Sequence, residues 1–149
     1  MFITQISVYL ENSKGILRSM TKALAKSQID MLALSIADTK EFGIARIIVR
    51  EKDLKPAIEA LRDGGLMAKT SDVLCIAVPN EPAGLDRVLA IIEKADISIE
   101  YLYSLNYIID EQAIMVLRLQ TDAMQKSDIV DLLNDNNVKM VGQEEINKL

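Results

Sequence analysis

Two segments of this chain repeat one another, and that repeat limits the folds open to it more than any other feature. Residues 6–17 read ISVYLENSKGIL and residues 75–86 read CIAVPNEPAGLD. Each is a short apolar strand, then a polar loop, then a glycine that opens an amphipathic helix. Gly15 and Gly84 lie 69 positions apart. The segments after the two glycines are also alike: a helix, two apolar runs and a second helix. A chain of 149 residues built from two copies of one unit carries two equivalent loops.

In the first copy Ile6, Val8 and Leu10 alternate with polar neighbours, as a half-buried strand does. Ile16, Leu17, Met20, Ala23 and Leu24 then fall on one helical face. Residues 29–37 and 44–50 are apolar enough for strands, with residues 38–43 as a polar turn. Asp53 is suited to cap a helix that buries Leu54, Ala57, Ile58 and Leu61 and stops at Gly64-Gly65. A short last strand covers residues 66–70. The second copy repeats the order, with Asp122 or Ser127 as the second helix cap and Asp135-Asn136-Asn137 in the place of the glycine pair.

The predicted organisation is one domain over residues 1–70 and another over 71–149. Each is a β-α-β-β-α-β unit, the ferredoxin-like split βαβ of the α+β class, with an antiparallel sheet in strand order 4-1-3-2 and both helices on one face. The second strand is then an edge, and it is too apolar to stand exposed in either copy. Pairing the two edges makes an eight-stranded sheet; pairing across chains serves equally well.

Composition removes several functions. There is no histidine, hence no commonest general base and no commonest zinc ligand. The single cysteine, Cys75, sits in an apolar strand pattern and reads as a buried small hydrophobe. No calcium-loop spacing and no glycine-rich nucleotide loop occur, so neither metal nor cofactor is expected. The acidic pairs Asp38/Glu41 and Asp110/Glu111 fall in turns, where carboxylates are usually solvated. Residues 1–71 hold 11 Lys and Arg against 8 Asp and Glu, and residues 72–149 hold 6 against 14. Neither half has a dense basic patch or a set of sheet aromatics, which disfavours nucleic acid. No segment is apolar for long enough to span a membrane and none resembles a signal peptide; a cytoplasmic protein is expected.

The candidate sites are the two loops. A helix start offers backbone N–H groups and a partial positive charge that favour a carboxylate. A glycine there admits a ligand close to the backbone, or it merely permits the turn. Asn12 adds a donor and an acceptor. Tyr101 and Tyr103 lie on one face of a strand, either as sheet packing or as a lid over a ligand.

The strand-loop-glycine-helix motif in this order, twice over, resembles the ACT domain, and the segments LALSIADTKEFGIARIIV, VPNEPAGLDRVL and ISIEYLYS resemble free-standing tandem ACT proteins from residue 3 to about 146. The resemblance implies a regulatory module for a small molecule, usually an amino acid, held by the first loop of one unit and the edge strand of another. Carried onto this sequence, the loop positions are Asn12, Lys14, Gly15, Ile16 and Leu17, and Glu81, Ala83, Gly84 and Leu85. The edge positions are Leu34, Ser35, Ile36 and Ala37, and Tyr101, Leu102 and Tyr103. Asn12 matches the loop Asn of serine-sensing ACT domains. The Asn at the start of their edge strand is replaced here by Asp30 and Ser98. The Pro usual before the glycine is replaced by Lys14 and Ala83, with Pro82 one residue earlier. Glu81 standing where copy one has Asn12 would repel a ligand carboxylate, so copy one is the expected better site.

The function expected is a non-catalytic amino-acid sensor, a homodimer acting in trans on a metabolic enzyme or regulator. The alternative is a structural interaction module that has lost ligand binding. An enzyme on the same fold, such as an acylphosphatase, requires an arginine in the first loop, which has none.

Overall fold

A computed structural model of the chain describes residues 1–38, 42–120 and 125–149. The predicted turn at residues 38–43 and the predicted cap Asp122 therefore lie wholly or partly outside the described residues. The chain divides into two compact units: residues 4–71 with 147–149, and residues 72–146 with 1–3.

The first unit keeps the predicted order, with β1 (Ile3–Glu11), α1 (Ile16–Lys26), β2 (Ala33–Asp38), β3 (Phe42–Ile48) and α2 (Glu51–Asp63), then the first part of β4 (Met67–Pro79). Its strands run β2-β3-β1-β4, and β3 is antiparallel to both β1 and β2. The second unit takes the rest of β4, then α3 (Gly84–Lys94), β5 (Ile99–Ile109), β6 (Gln112–Leu119), α4 (Lys126–Asp135), β7 (Lys139–Met140) and α5 (Gln143–Ile146). Here β6 pairs β4 and β5, and β7 pairs β4. Both units thus have the 4-1-3-2 order of the ferredoxin-like α+β fold.

Among the described residues the eight expected strands are seven. Ser71 and Asp72, which separate the last predicted strand of copy one from the first of copy two, keep an extended backbone, so the two run on as β4 without a break. Pairing of edge with edge is also not what the strands do: β2 has β3 as its one strand neighbour and β5 has β6. Each unit packs the predicted faces. Ile6, Val8, Leu10, Ala45 and Ile47 meet Met20, Leu24, Ala57 and Leu61 in the first. In the second, Leu74, Ile76, Val78 and Leu117 meet Val88, Ile92, Ile129 and Leu133. Leu17, placed on the buried face by periodicity, is exposed.

Among the described residues all four long helices end in the same way. The residue after each C-cap is left-handed: Gln28, Gly65, Asp96 and Asn137, with φ between 56° and 80°. The next residue, always apolar, donates its N–H back to the last turn of its helix: Ile29 to Leu24, Leu66 to Leu61, Ile97 to Ile92 and Val138 to Leu133, at 2.9–3.3 Å. This is the Schellman motif with its hydrophobic closure, and it turns the chain sharply toward the next strand.

Helix starts agree less well with the sequence. Asp53 is not the cap of α2; Arg50 is, and Asp53 sits in the first turn with its N–H on the Arg50 carbonyl at 2.9 Å. Likewise α4 starts from Gln125, with Ser127 inside the helix. The Asp128 carboxylate accepts the Gln125 N–H at 3.3 Å and satisfies that end. The polar segment after β7 forms α5, with Ile146 fully buried and Glu145 accepting the Gly142 N–H at 3.0 Å.

Candidate functional site

The backbone of the two loops is built alike, in a register one residue off the one the glycines suggest. In copy one Ser13 donates to the Glu11 carbonyl, Ile16 to Ser13, and Ser19 to Gly15. In copy two Glu81 donates to Pro79, Gly84 to Glu81, and Arg87 to Ala83. Every member of the second set lies 68 positions after its counterpart. The N-cap of α1 is Gly15 at φ 86° and that of α3 is Ala83 at φ 64°, both left-handed. Ala83 is therefore the counterpart of Gly15, and Gly84 is the counterpart of Ile16.

Three readings of copy two change with this register. Asn80, not Glu81, stands where copy one has Asn12, so both loops carry the asparagine. Glu81 corresponds to Ser13, and its carboxylate is ion-paired with Arg87 in the first turn of α3, which offsets the expected repulsion. Pro82 directly precedes the left-handed residue, as Lys14 does in copy one. Asn80 is hidden when glycine is used to align the copies, because the two glycines have different causes. A Cβ on Gly15 meets nothing within 4 Å, so that residue serves its positive φ. A Cβ on Gly84 would stand 2.0 Å from the Pro79 carbonyl oxygen, so that residue serves close approach.

Residues 12–15 and 80–83 are solvent-exposed. The first-turn N–H groups of Leu17 and Arg18, and of Leu85 and Asp86, have no intrahelical acceptor, as at any helix start. Within one unit the loop does not meet its own edge strand. β3 lies between β1 and β2, which puts them about 10 Å apart at ordinary strand spacing. Leu34 and Ile36 are exposed on β2, with Ser35 and Ala37 beside Arg46 and Ile44. Tyr101 and Tyr103 stack with ring centres 6.4 Å apart, and Tyr103 is buried. They share a face with Arg118 and Val116 of β6, while Leu102 packs on the core of the second unit. Asp30 is engaged by Arg50 at 3.3 Å, which gives it a structural partner.

A cavity opens beside each loop. One, of about 470 Å³, lies under the first loop and includes Glu11 and Ile16. The other, of about 540 Å³, includes Asn80 and Glu81 and is rimmed by Asp110 and Glu111. Ile16 and Glu81 are the sequence-predicted residues found in them. Asp110 and Glu111, at φ 50° and 61°, form the two-residue turn of the β5–β6 hairpin, and Asp110 pairs with Lys139 at 3.6 Å. Among the described residues no cluster of acidic or cysteine side chains is arranged to hold a metal. Burial, and secondarily the Glu145 charge, push the Cys75 thiol up to about 12. A protonated, enclosed thiol is not a nucleophile.

Similarity to known proteins extends over the whole chain. A crystal structure of a protein from Bacteroides thetaiotaomicron is 33% identical, with TM-score 0.85 over 100% of this chain and 98% of that one. The ligand-free regulatory subunit of aspartate kinase from Thermus thermophilus has TM-score 0.60 at 14% identity, over 89% of this chain and 90% of that one. The corresponding subunit from Thermus flavus has TM-score 0.53 at 19% identity, over 76% and 80%. The two Thermus structures share the fold. No curated protein sequence matches. The family model of the ACT domain pair matches residues 1–149, and the chain belongs to that family.

Proposed function

We propose that this protein is a non-catalytic sensor of an amino acid that acts in trans on a metabolic enzyme or regulator. ACT domain pairs are regulatory domains that bind small molecules. The observation that carries the finer reading is the loop built twice: an Asn three residues before a left-handed N-cap, exposed, at a helix start with free N–H groups. That arrangement suits a zwitterion, its carboxylate on the helix start and its polar groups on the Asn amide. Leu34 and Ile36 on an open edge favour a homodimer, in which the edge strand of a second copy completes the site. The fold shared with two aspartate kinase regulatory subunits supports an enzyme as the partner; the cytoplasm is proposed as the place. Among the described residues no helix is long and apolar enough to cross a membrane. The ligand acts only to the extent that it prefers one conformation of the protein over another.

Thermal unfolding in the presence of each of the twenty amino acids at millimolar concentration tests the reading. A ligand at about 100 times its Kd adds about 2.7 kcal/mol. A rise in Tm with one chemical group of amino acids is expected, reduced in Asn12→Ala or in Asn80→Ala according to the loop that binds. No rise with any amino acid refutes it.

A further inference from the structure

Resting on the amino-acid reading above, we propose that the ligand is an amino acid with a bulky apolar side chain, and that this side chain is taken by the cavity under the first loop. The cavity lies entirely within the first unit, and its volume of about 470 Å³ falls in the range of small-molecule sites. Its walls are hydrocarbon: Leu10, Ile16 and Leu66 from the core side, and Tyr9, Phe42 and Met67 at the rim. The rim residues are 37%, 43% and 60% exposed. Large apolar groups around a solvent-open hollow gain by being covered. Among the described residues Glu11 is the one charged residue in the lining. The Lys69 ammonium stands 5.7 Å from the Tyr9 ring centre. The Glu11 carboxylate complements the ammonium of a zwitterion whose carboxylate lies on the helix start.

The second repeat is an internal comparison. Glu11 opposes Phe42 across β1 and β3, and Pro79 opposes Gln112 across β4 and β6. Gln112 therefore takes the place of Phe42, and Pro79 that of Glu11. Counting on from the left-handed residues Gly65 and Asn137, Lys139 takes the place of Met67. Ala77 stands for Tyr9, and Gly84 for Ile16. With no side chain, Gly84 lets the start of α3 lie against the Pro79 carbonyl, closing the space that Ile16 keeps open. The apolar rim, the acid and the spacer are all lost, and the cavity near that loop is rimmed by carboxylates instead. The same backbone thus presents apolar residues around the hollow of the first repeat and polar ones at the matching described positions of the second.

Isothermal titration of the full chain with L-leucine, L-phenylalanine, glycine and L-serine tests the assignment. Glycine and serine carry the same charged groups without the apolar body. The expected result is tighter binding of leucine or phenylalanine than of glycine, by about tenfold or more. Phe42→Gln with Met67→Lys, which installs the second repeat's residues at these positions, is expected to bring them within about threefold of one another. Met67→Lys alone serves if the double variant does not fold. Glycine or serine binding as tightly as leucine and phenylalanine overturns this inference and leaves the amino-acid reading standing. Binding of none of the four overturns this inference, and the screen of all twenty amino acids then decides the amino-acid reading. A preference that survives the substitutions removes the cavity as its source.

Discussion

Adding one methyl group to Gly84 would force a carbon to within 2.0 Å of a backbone oxygen. Neither partner is the end of a flexible side chain, so α3 must move off the end of β4. Gly84→Ala is expected to cost about 2–3 kcal/mol. Gly15→Ala, with open space at its Cβ and a left-handed backbone, is expected to cost about 1 kcal/mol. Ala83 already shows an alanine holding that conformation in the other copy. Urea unfolding of the two variants separates the cases; equal losses would remove the distinction between a steric glycine and a conformational one. A second residue behaves as its surroundings dictate. Cys75 keeps its proton to about pH 12, against 9.0 for an ordinary thiol. An acid whose pKa rises on folding favours the folded state below its unfolded pKa, so that stability is lost as the pH climbs from about 9 to about 12. A thiol reagent is expected to label the native protein slowly at pH 8 and the urea-unfolded chain at once; equal rates would place the thiol at the surface.

Helix ends are where this chain is most regular. Four closures use one device, but a glycine fills the left-handed place in α2 alone. Asp96 and Asn137 tolerate that backbone better than most residues, whereas Gln28 has no such ease. Gln28→Gly is expected to raise stability by about 0.5–1 kcal/mol, less than the full left-handed penalty because glycine also loses more entropy on folding. An increase in the urea midpoint at unchanged slope is the sign; a decrease would mean that Gln28 is held by something other than its φ. Helix stops are legible in the sequence at Gly64-Gly65 and at residues 135–137 because turn residues announce them. Helix starts are not. The cap of α2 is Arg50, which has no capping side-chain bond, so Asp53 mimics a cap three residues too late. The loop register is misleading for a similar reason: a glycine in sequence does not declare whether φ or space requires it. The hydrogen bonds that do declare it are backbone bonds, common to all residues.

At the scale of the whole chain, alternation and helical periodicity carry both units, because each buried face repeats in sequence. The strand order comes from the known geometry of the split βαβ. The merging of two strands into β4 is invisible because Ser71-Asp72 are residue types common in turns, although their backbone stays extended. The cavity of the first repeat could not be foreseen, since it gathers residues from β1, α1, β3 and the α2–β4 turn. It becomes readable once the copies are set in their true register. The two units keep one backbone, and the positions around one hollow differ between them. An effector recognised by the first repeat would therefore find no equivalent receptor in the second, and the pair would respond with one apolar site per chain.

The outermost residues give this duplication an unusual property. Met1 to Ile3 belong with the second repeat, where the Phe2 ring lies 4.9 Å from the Lys126 ammonium. Asn147 belongs with the first, where its side chain bonds both the N–H and the carboxylate of Glu51, at 2.9 and 3.2 Å. A gene cut at the boundary of the repeats would give two fragments, each missing a strip supplied by the far end of the other. Once such an exchange has arisen, neither half can be inherited, shuffled or expressed alone without a loss. The doubled ancestor has in this sense become indivisible, although its sequence still reads as two.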